Sequence, residues 1–159
     1  MHDTNNRRYC RFYTTTLMRH LFLTLLLSAS CLLQAQVSDI LGDWLTVDDA
    51  TGDNYAVVRI YQADNGKYYG RIIEMLFPNT EDMRCAACKE ADHDQPILGM
   101  VIIRDMEAKG DCLTGGRVLD PNNGKFYHGR ITCEKGRLCL RGSLDRAGLL
   151  GRNQYWKRR

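Results

Sequence analysis

The sequence predicts an all-β, antiparallel domain of about eight strands, and three observations predict it. Beyond residue 40, apolar and polar residues alternate mostly with a period of two, the period of a strand with one buried face. Turn residues punctuate that alternation at short intervals, as in ADNG (63–66) and PNNG (121–124). No segment there carries three turns of helical periodicity. Such a chain folds as a sandwich or as a closed barrel. Closure is favoured because it hides strand edges that would otherwise pair with other chains.

The elements follow in order. Gly42–Val47 (GDWLTV) opens the domain, and the alternating YAVVRIY stretch gives a second strand over Tyr55–Tyr61. ADNG turns it into a third, Lys67–Met75. A polar segment, 77–96, carries two cysteines and no periodicity. GMVIIRDME (99–107) is a fourth strand and CLTGGRVLD (112–120) a fifth. In PNNG, proline presets one dihedral and Asn-Gly tolerates positive φ, so the chain reverses into Lys125–Cys133. Arg137–Ser143 and Arg152–Arg158 complete the set.

One hairpin permits a register prediction. With Lys135-Gly136 as a two-residue turn, Cys133 opposes Leu138 and Ile131 opposes Leu140, which places four apolar side chains on one face. Thr132 and Cys139 then share the other face, so Cys133 and Cys139 do not bond to each other. Arg130 and Arg141 also oppose each other on that second face, beside His128. Two like charges in that position are unfavourable unless an anion or a carboxylate lies between them. Either the face looks into a cavity and holds a ligand carboxylate or phosphate, or it is the solvated outer surface, which is the simpler reading. Tyr55, Tyr69, Arg71 and Tyr127 join Arg130 and Arg141 as candidate ligand-orienting side chains, although strand aromatics serve more often in packing.

The first 35 residues do not read as part of the fold. From Met18, a short basic start (Arg19, His20) leads into the apolar run Leu21–Leu27, then small residues and Gln34-Ala35. That is the order of a secretory signal peptide cleaved after Ala35. Residues 1–17 are expected to be a non-native upstream extension, 18–35 the leader and 36–159 a single domain. LSASC (27–31) resembles a lipoprotein cleavage site, which would make Cys31 a lipid anchor and the chain's one membrane attachment; ordinary cleavage fits its residues better. The chain has 22 Lys and Arg against 19 Asp and Glu, but the first 35 residues hold four arginines and one aspartate. The remainder is balanced at 18 of each, so no basic surplus points to nucleic acid. The expected location is the periplasm or the medium.

Export makes disulfides admissible for Cys85, Cys88, Cys112, Cys133 and Cys139. The Cys85–Cys88 pair invites three readings. A redox centre needs a helix N-terminus to lower a thiol pKa, whereas this pair sits in a loop with Glu81, Asp82, Glu90, Asp92 and Asp94. A zinc site needs four ligands; Cys85, Cys88 and His93 supply three, with Asp92, Asp94 or a distant cysteine as the fourth. A disulfide closing a small loop needs neither and is the preferred reading. No catalytic triad or phosphate loop can be argued from spacing, and no cofactor is expected.

GDWLT (42–46), GKYYGRI (66–72), PILGMVII (96–103), GGRVLDPNNGKFY (115–127), LRGSL (140–144) and LLGRNQYWKR (149–158) occur in that order. Together they resemble the secreted bacterial family known as domain of unknown function 2147. That resemblance implies a location and a class rather than a reaction. Gly42-x-Trp44 on the first strand, with arginines in the last, also resembles the calycins, the barrels of lipocalins and fatty-acid-binding proteins. This implies a lipocalin-like barrel in which Arg152 or Arg158 packs over Trp44 at the closed end. It further implies an exported protein that binds an apolar or amphipathic, lipid-like molecule. The alternatives are an envelope module with a filled core and, less favoured, a cysteine-based redox or metal protein. Oligomeric state is not encoded legibly.

Overall fold

Alternating patterns of this kind can bury their apolar faces only by curling round one interior, and the computed structural model shows that arrangement. It describes residues 37–47, 51–80 and 82–159. The expected extension (1–17), leader (18–35) and Cys31 lie outside the described residues.

Among the described residues nine strands form one antiparallel sheet: β1 (Gly42–Val47), β2 (Asn54–Gln62), β3 (Tyr68–Met75), β4 (Val101–Lys109), β5 (Cys112–Thr114), β6 (Arg117–Asp120), β7 (Lys125–Glu134), β8 (Arg137–Ser143) and β9 (Gly151–Arg158). The order is β3-β2-β1-β9-β8-β7, then β5 and β6 together, then β4, which pairs back onto β3. Since β5 and β6 both lie between β4 and β7, they fill one position, and the sheet closes as an eight-stranded barrel.

Several strand ends shift by a residue or two from the sequence expectation, and two differences have a clear cause. The strand expected over 112–120 is interrupted at Gly115-Gly116, where the Gly116 Cα faces the Arg104 carbonyl too closely for any Cβ. The fourth strand starts at Val101 rather than 99, because Met100 N–H donates to Ile97 O in a turn that must finish first. The predicted hairpin register holds: Cys133 faces Leu138, Ile131 faces Leu140, and Arg130 faces Arg141.

One end of the barrel is sealed. The turn Val37–Leu41 folds across it, with Val37 and Ile40 buried in the core. Trp44, fully buried, donates its indole N–H to Ile40 O at 2.8 Å. Arg158, in the last strand, lies 4.1 Å from the Trp44 ring centroid and donates to Leu41 O and Asp39 O, each at 2.6 Å. Gly42 has φ +111° and a Cβ there would stand 2.9 Å from the Arg158 guanidinium, so the Gly-x-Trp spacing has a steric cause. Ile60, Met106, Leu113, Ile131 and Leu138 fill the interior with the indole.

The long β3–β4 connection is tied to this core. Cys85 and Cys88 form a disulfide and are both buried against it with Ile97 and Met100. Cys85 N–H donates to Gln95 O, and Arg84 bridges to Pro96, so the loop returns on itself.

Candidate functional site

At the end opposite Trp44, the interior is open. Residues of eight strands, all but β5, surround a cavity of about 700 Å³. Its wall is mostly aliphatic, with Val58, Ile72, Ile102, Val118 and Leu140 among the lining side chains. Toward the mouth stand Tyr55, Tyr127, Asp120, Asn122, Asn123 and Arg152. The strand pleat produces this split, because each residue faces opposite to its neighbours. In β9 the inward series is Arg152, Gln154, Trp156, Arg158, which runs from mouth to sealed end.

Trp156 is a buried element of the wall that carries a polar group. It pairs with Leu138 across the sheet, is 2% exposed, and its indole N–H has no hydrogen-bond partner among the described residues. An unpaired buried donor costs about 1–3 kcal/mol relative to a satisfied one. Trp44, by contrast, spends its N–H on a backbone carbonyl. The sequence offered a signal for Trp156 that went unused: once Leu138 and Leu140 face inward, their β9 partners Trp156 and Gln154 must as well.

The sequence-predicted site residues separate by parity. Tyr55 and Tyr127 are half-buried and line the cavity. Tyr55 also contacts Phe77, with ring centroids 5.5 Å apart, and Tyr127 Oη accepts from Asn123 Nδ2 at 3.1 Å. Tyr69, Arg71, Arg130 and Arg141 fall on the outer face and do not reach the cavity. The Tyr69 hydroxyl donates to Asp105 at 2.9 Å, and Arg71 donates to Gly99 O at 3.1 Å. Arg130 is exposed. Arg141 donates to Gly148 O and, at 2.9 Å, to Asn153 Oδ1, so carbonyl oxygens rather than a ligand anion take up its charge. The inward face of that hairpin is the one carrying Ile131 and Leu140, which leaves its arginines outside. Of the two arginines proposed for the Trp44 contact, Arg158 makes it, and Arg152 stands at the cavity mouth.

The disulfide loop supports the mouth from outside the wall. Cys85 Sγ lies 3.3 Å from the Pro121 carbonyl, a packing contact since a disulfide sulfur has no proton to donate. Pro121, Asn122, Asn123 and Ile97 all line the cavity. His93 Nδ1 sits 3.1 Å from Cys88 O, and Asp92 forms a two-bond ion pair with Arg104 at 2.7 and 2.9 Å. Among the described residues no three His, Cys, Asp or Glu side chains converge on a common point. The thiols of Cys112, Cys133 and Cys139 are free. Burial pushes the Cys133 thiol up, against the opposing pull of Arg158, which makes it a poor nucleophile.

The comparisons agree with this architecture. In a structure search the chain is similar to protein HP1028 from the human pathogen Helicobacter pylori, described as belonging to the lipocalin family. The TM-score is 0.65 at 20% identity, over 75% of this chain and 82% of that one. At that identity the likeness speaks for the fold, a lipocalin-type barrel. No curated protein matches the chain. Residues 42–158, from the glycine beneath Arg158 to Arg158 itself, match the family described as uncharacterized protein conserved in bacteria, and the chain belongs to that family, DUF2147.

Proposed function

We propose that this protein is an exported carrier that holds one small amphipathic, lipid-like molecule in the open half of its barrel. The observation that supports it is the pairing of an apolar cavity of about 700 Å³ with a buried indole N–H, on Trp156, that nothing among the described residues satisfies. Small-molecule pockets run to about 300–1,000 Å³ and combine apolar walls with a few polar groups that fix orientation. Eight-stranded barrels of lipocalin type have interiors wide enough for one small ligand. A core filled by side chains alone leaves no space of this size, so the cavity favours binding over a purely structural role.

The aliphatic wall takes the ligand's chain. Trp156 donates to an acceptor on the ligand, and Tyr55, Tyr127 and Arg152 meet polar groups near the mouth. Export is supported by the leader-like segment 18–35 and by a disulfide that an oxidising compartment would preserve. The periplasm or the medium is the location this implies.

Native mass spectrometry of protein purified without detergent is expected to show a co-purifying lipid-like mass. A fluorescent fatty acid is expected to titrate to saturation at one site. Blank results in both would remove the proposal.

A further inference from the structure

The β8–β9 connection, Leu144–Leu150, holds its apolar side chains away from the protein. Leu144, Leu149 and Leu150 are 65%, 80% and 69% exposed. A loose loop would fold such residues back onto the barrel, but here a hydrogen-bond frame prevents it. The Asp145 carboxylate accepts from Leu149 N–H at 2.9 Å and from Leu150 N–H at 2.6 Å. Ser143 Oγ donates to Asp145 O at 2.8 Å, and Leu144 N–H donates to Leu150 O at 2.9 Å. From the outer face, the Arg141 guanidinium holds Gly148 O. The loop is braced in a shape that presents leucines to the outside.

Three further observations narrow what those leucines meet. Leu144 and Leu150 also line the cavity, so the exposed patch is continuous with its mouth. Leu76 and Phe77, 36% and 38% exposed, follow β3 at the same end, and Phe77 contacts the cavity-lining Tyr55. The apolar surface therefore flanks the opening from two elements and protrudes, a shape suited to a soft apolar layer rather than to a groove-filling peptide. Charge completes the picture. The loop's single acid, Asp145, turns its carboxylate onto two amides, while Arg146 within the loop and Arg152 just beyond it are exposed. Apolar tips flanked by cations match the boundary between acyl chains and anionic headgroups.

We propose that the Leu144–Leu150 loop docks the barrel, mouth down, on a phospholipid bilayer carrying anionic headgroups. The contact is made by the barrel itself, separately from any anchor at Cys31, and it stands whether or not the cavity holds a ligand.

The test uses the full chain with Leu149→Trp as a local reporter. The vesicles are phosphatidylcholine with phosphatidylglycerol, with and without brominated acyl chains. The emission added by Trp at position 149 is expected to shift to the blue and to be quenched by the brominated lipid. Leu149→Ser with Leu150→Ser is expected to weaken vesicle binding about tenfold or more, since the apolar contact of both side chains is lost. Arg146→Gln is expected to weaken binding to the anionic vesicles and to leave binding to pure phosphatidylcholine unchanged. Gly142→Leu, which narrows the cavity, is expected to bind vesicles as the parent does, and this separates docking from ligand binding. Emission at position 149 that is neither shifted nor quenched would overturn the proposal. So would equal vesicle binding by the double serine variant, or leucine-dependent self-association in sedimentation. The replaced leucines are exposed, so the variants are expected to fold, and circular dichroism checks this.

Discussion

Arg158 caps Trp44: the guanidinium sits 4.1 Å from the indole ring centroid while its nitrogens hold Leu41 O and Asp39 O. One side chain from the last strand thus ties the opening turn and the first strand to the end of the chain. Arg158→Met is expected to cost about 2 kcal/mol, combining a cation–π contact with hydrogen bonds from a charged donor. Arg158→Lys should recover part of that, because an ammonium cannot span both carbonyls while covering the ring. Gly42→Ala should cost about 1–3 kcal/mol, from its positive φ and the crowded guanidinium. Urea denaturation measures all three, and an unchanged midpoint for Arg158→Met would remove the closure argument.

The cavity makes two opposite predictions. Trp156→Phe keeps an aromatic ring but removes the rest of the indole together with the unpaired N–H, so the lost packing and the relieved donor oppose each other and stability should change by less than about 2 kcal/mol, while affinity for a ligand with a polar acceptor falls about tenfold. Gly142 lines the cavity, and a Cβ there would meet only ordinary contacts, the nearest 3.5 Å away on Tyr127. Gly142→Leu should therefore narrow the cavity and weaken uptake of a fluorescent fatty acid with little loss of fold. Arg130→Ala, on the outer face, should leave uptake unchanged. Isothermal titration separates these outcomes.

Asp145 gives the mouth loop a pH dependence. Hydrogen bonds from the Leu149 and Leu150 amides hold its carboxyl below the usual aspartate range. The folded value is therefore lower than the unfolded one. The brace is complete above the ordinary aspartate pKa and is lost as pH falls through the lowered value. Protection of the Leu149 and Leu150 amides, taken as their exchange relative to the intrinsic rate at each pH, should fall on acidification below the aspartate range, and Asp145→Ala should show the lost protection at neutral pH. A neutral-pH rate in the variant equal to the parent's would contradict the brace.

The cysteine loop should behave as a support for the rim. The tryptic peptide Cys85–Lys89 is expected to resist alkylation until reductant is added. Cys133, pushed up by burial, should react slowly at mildly alkaline pH. Opening the clip is expected to cost about 2 kcal/mol on chain-entropy grounds. Gly124→Ala should cost at least as much, because φ is +66° and its Cβ would fall 1.9 Å from Ala87 O. Thermal melts of Cys85→Ser and Gly124→Ala test this, and a melting temperature unaffected by Gly124→Ala would mean the loop is not seated against that turn.

Alternation, turn residues and the Gly-x-Trp opening were enough to read the all-β barrel, most of its strands along the chain and the register of the β7–β8 hairpin. Each is a local property: the pleat has a strict period, and a two-residue turn fixes which residues oppose. The break at Gly115-Gly116 was not legible, because it depends on the approach of the Arg104 carbonyl from a neighbouring strand. Nor was the inward face of β9, whose Arg152, Gln154, Trp156 and Arg158 mix polar and apolar residues and so conceal the period.

The sequence by itself determined that the domain would be all-β and favoured closure, and it set an indole and an arginine at opposite ends of the domain. Only the tertiary structure decided which arginine reached the indole, that Arg130 and Arg141 faced outward, and that Trp156 was left with an unpaired N–H beside an open space. The reason is physical. Periodicity is written residue by residue along the chain, whereas a cavity exists only between side chains that distant segments bring together.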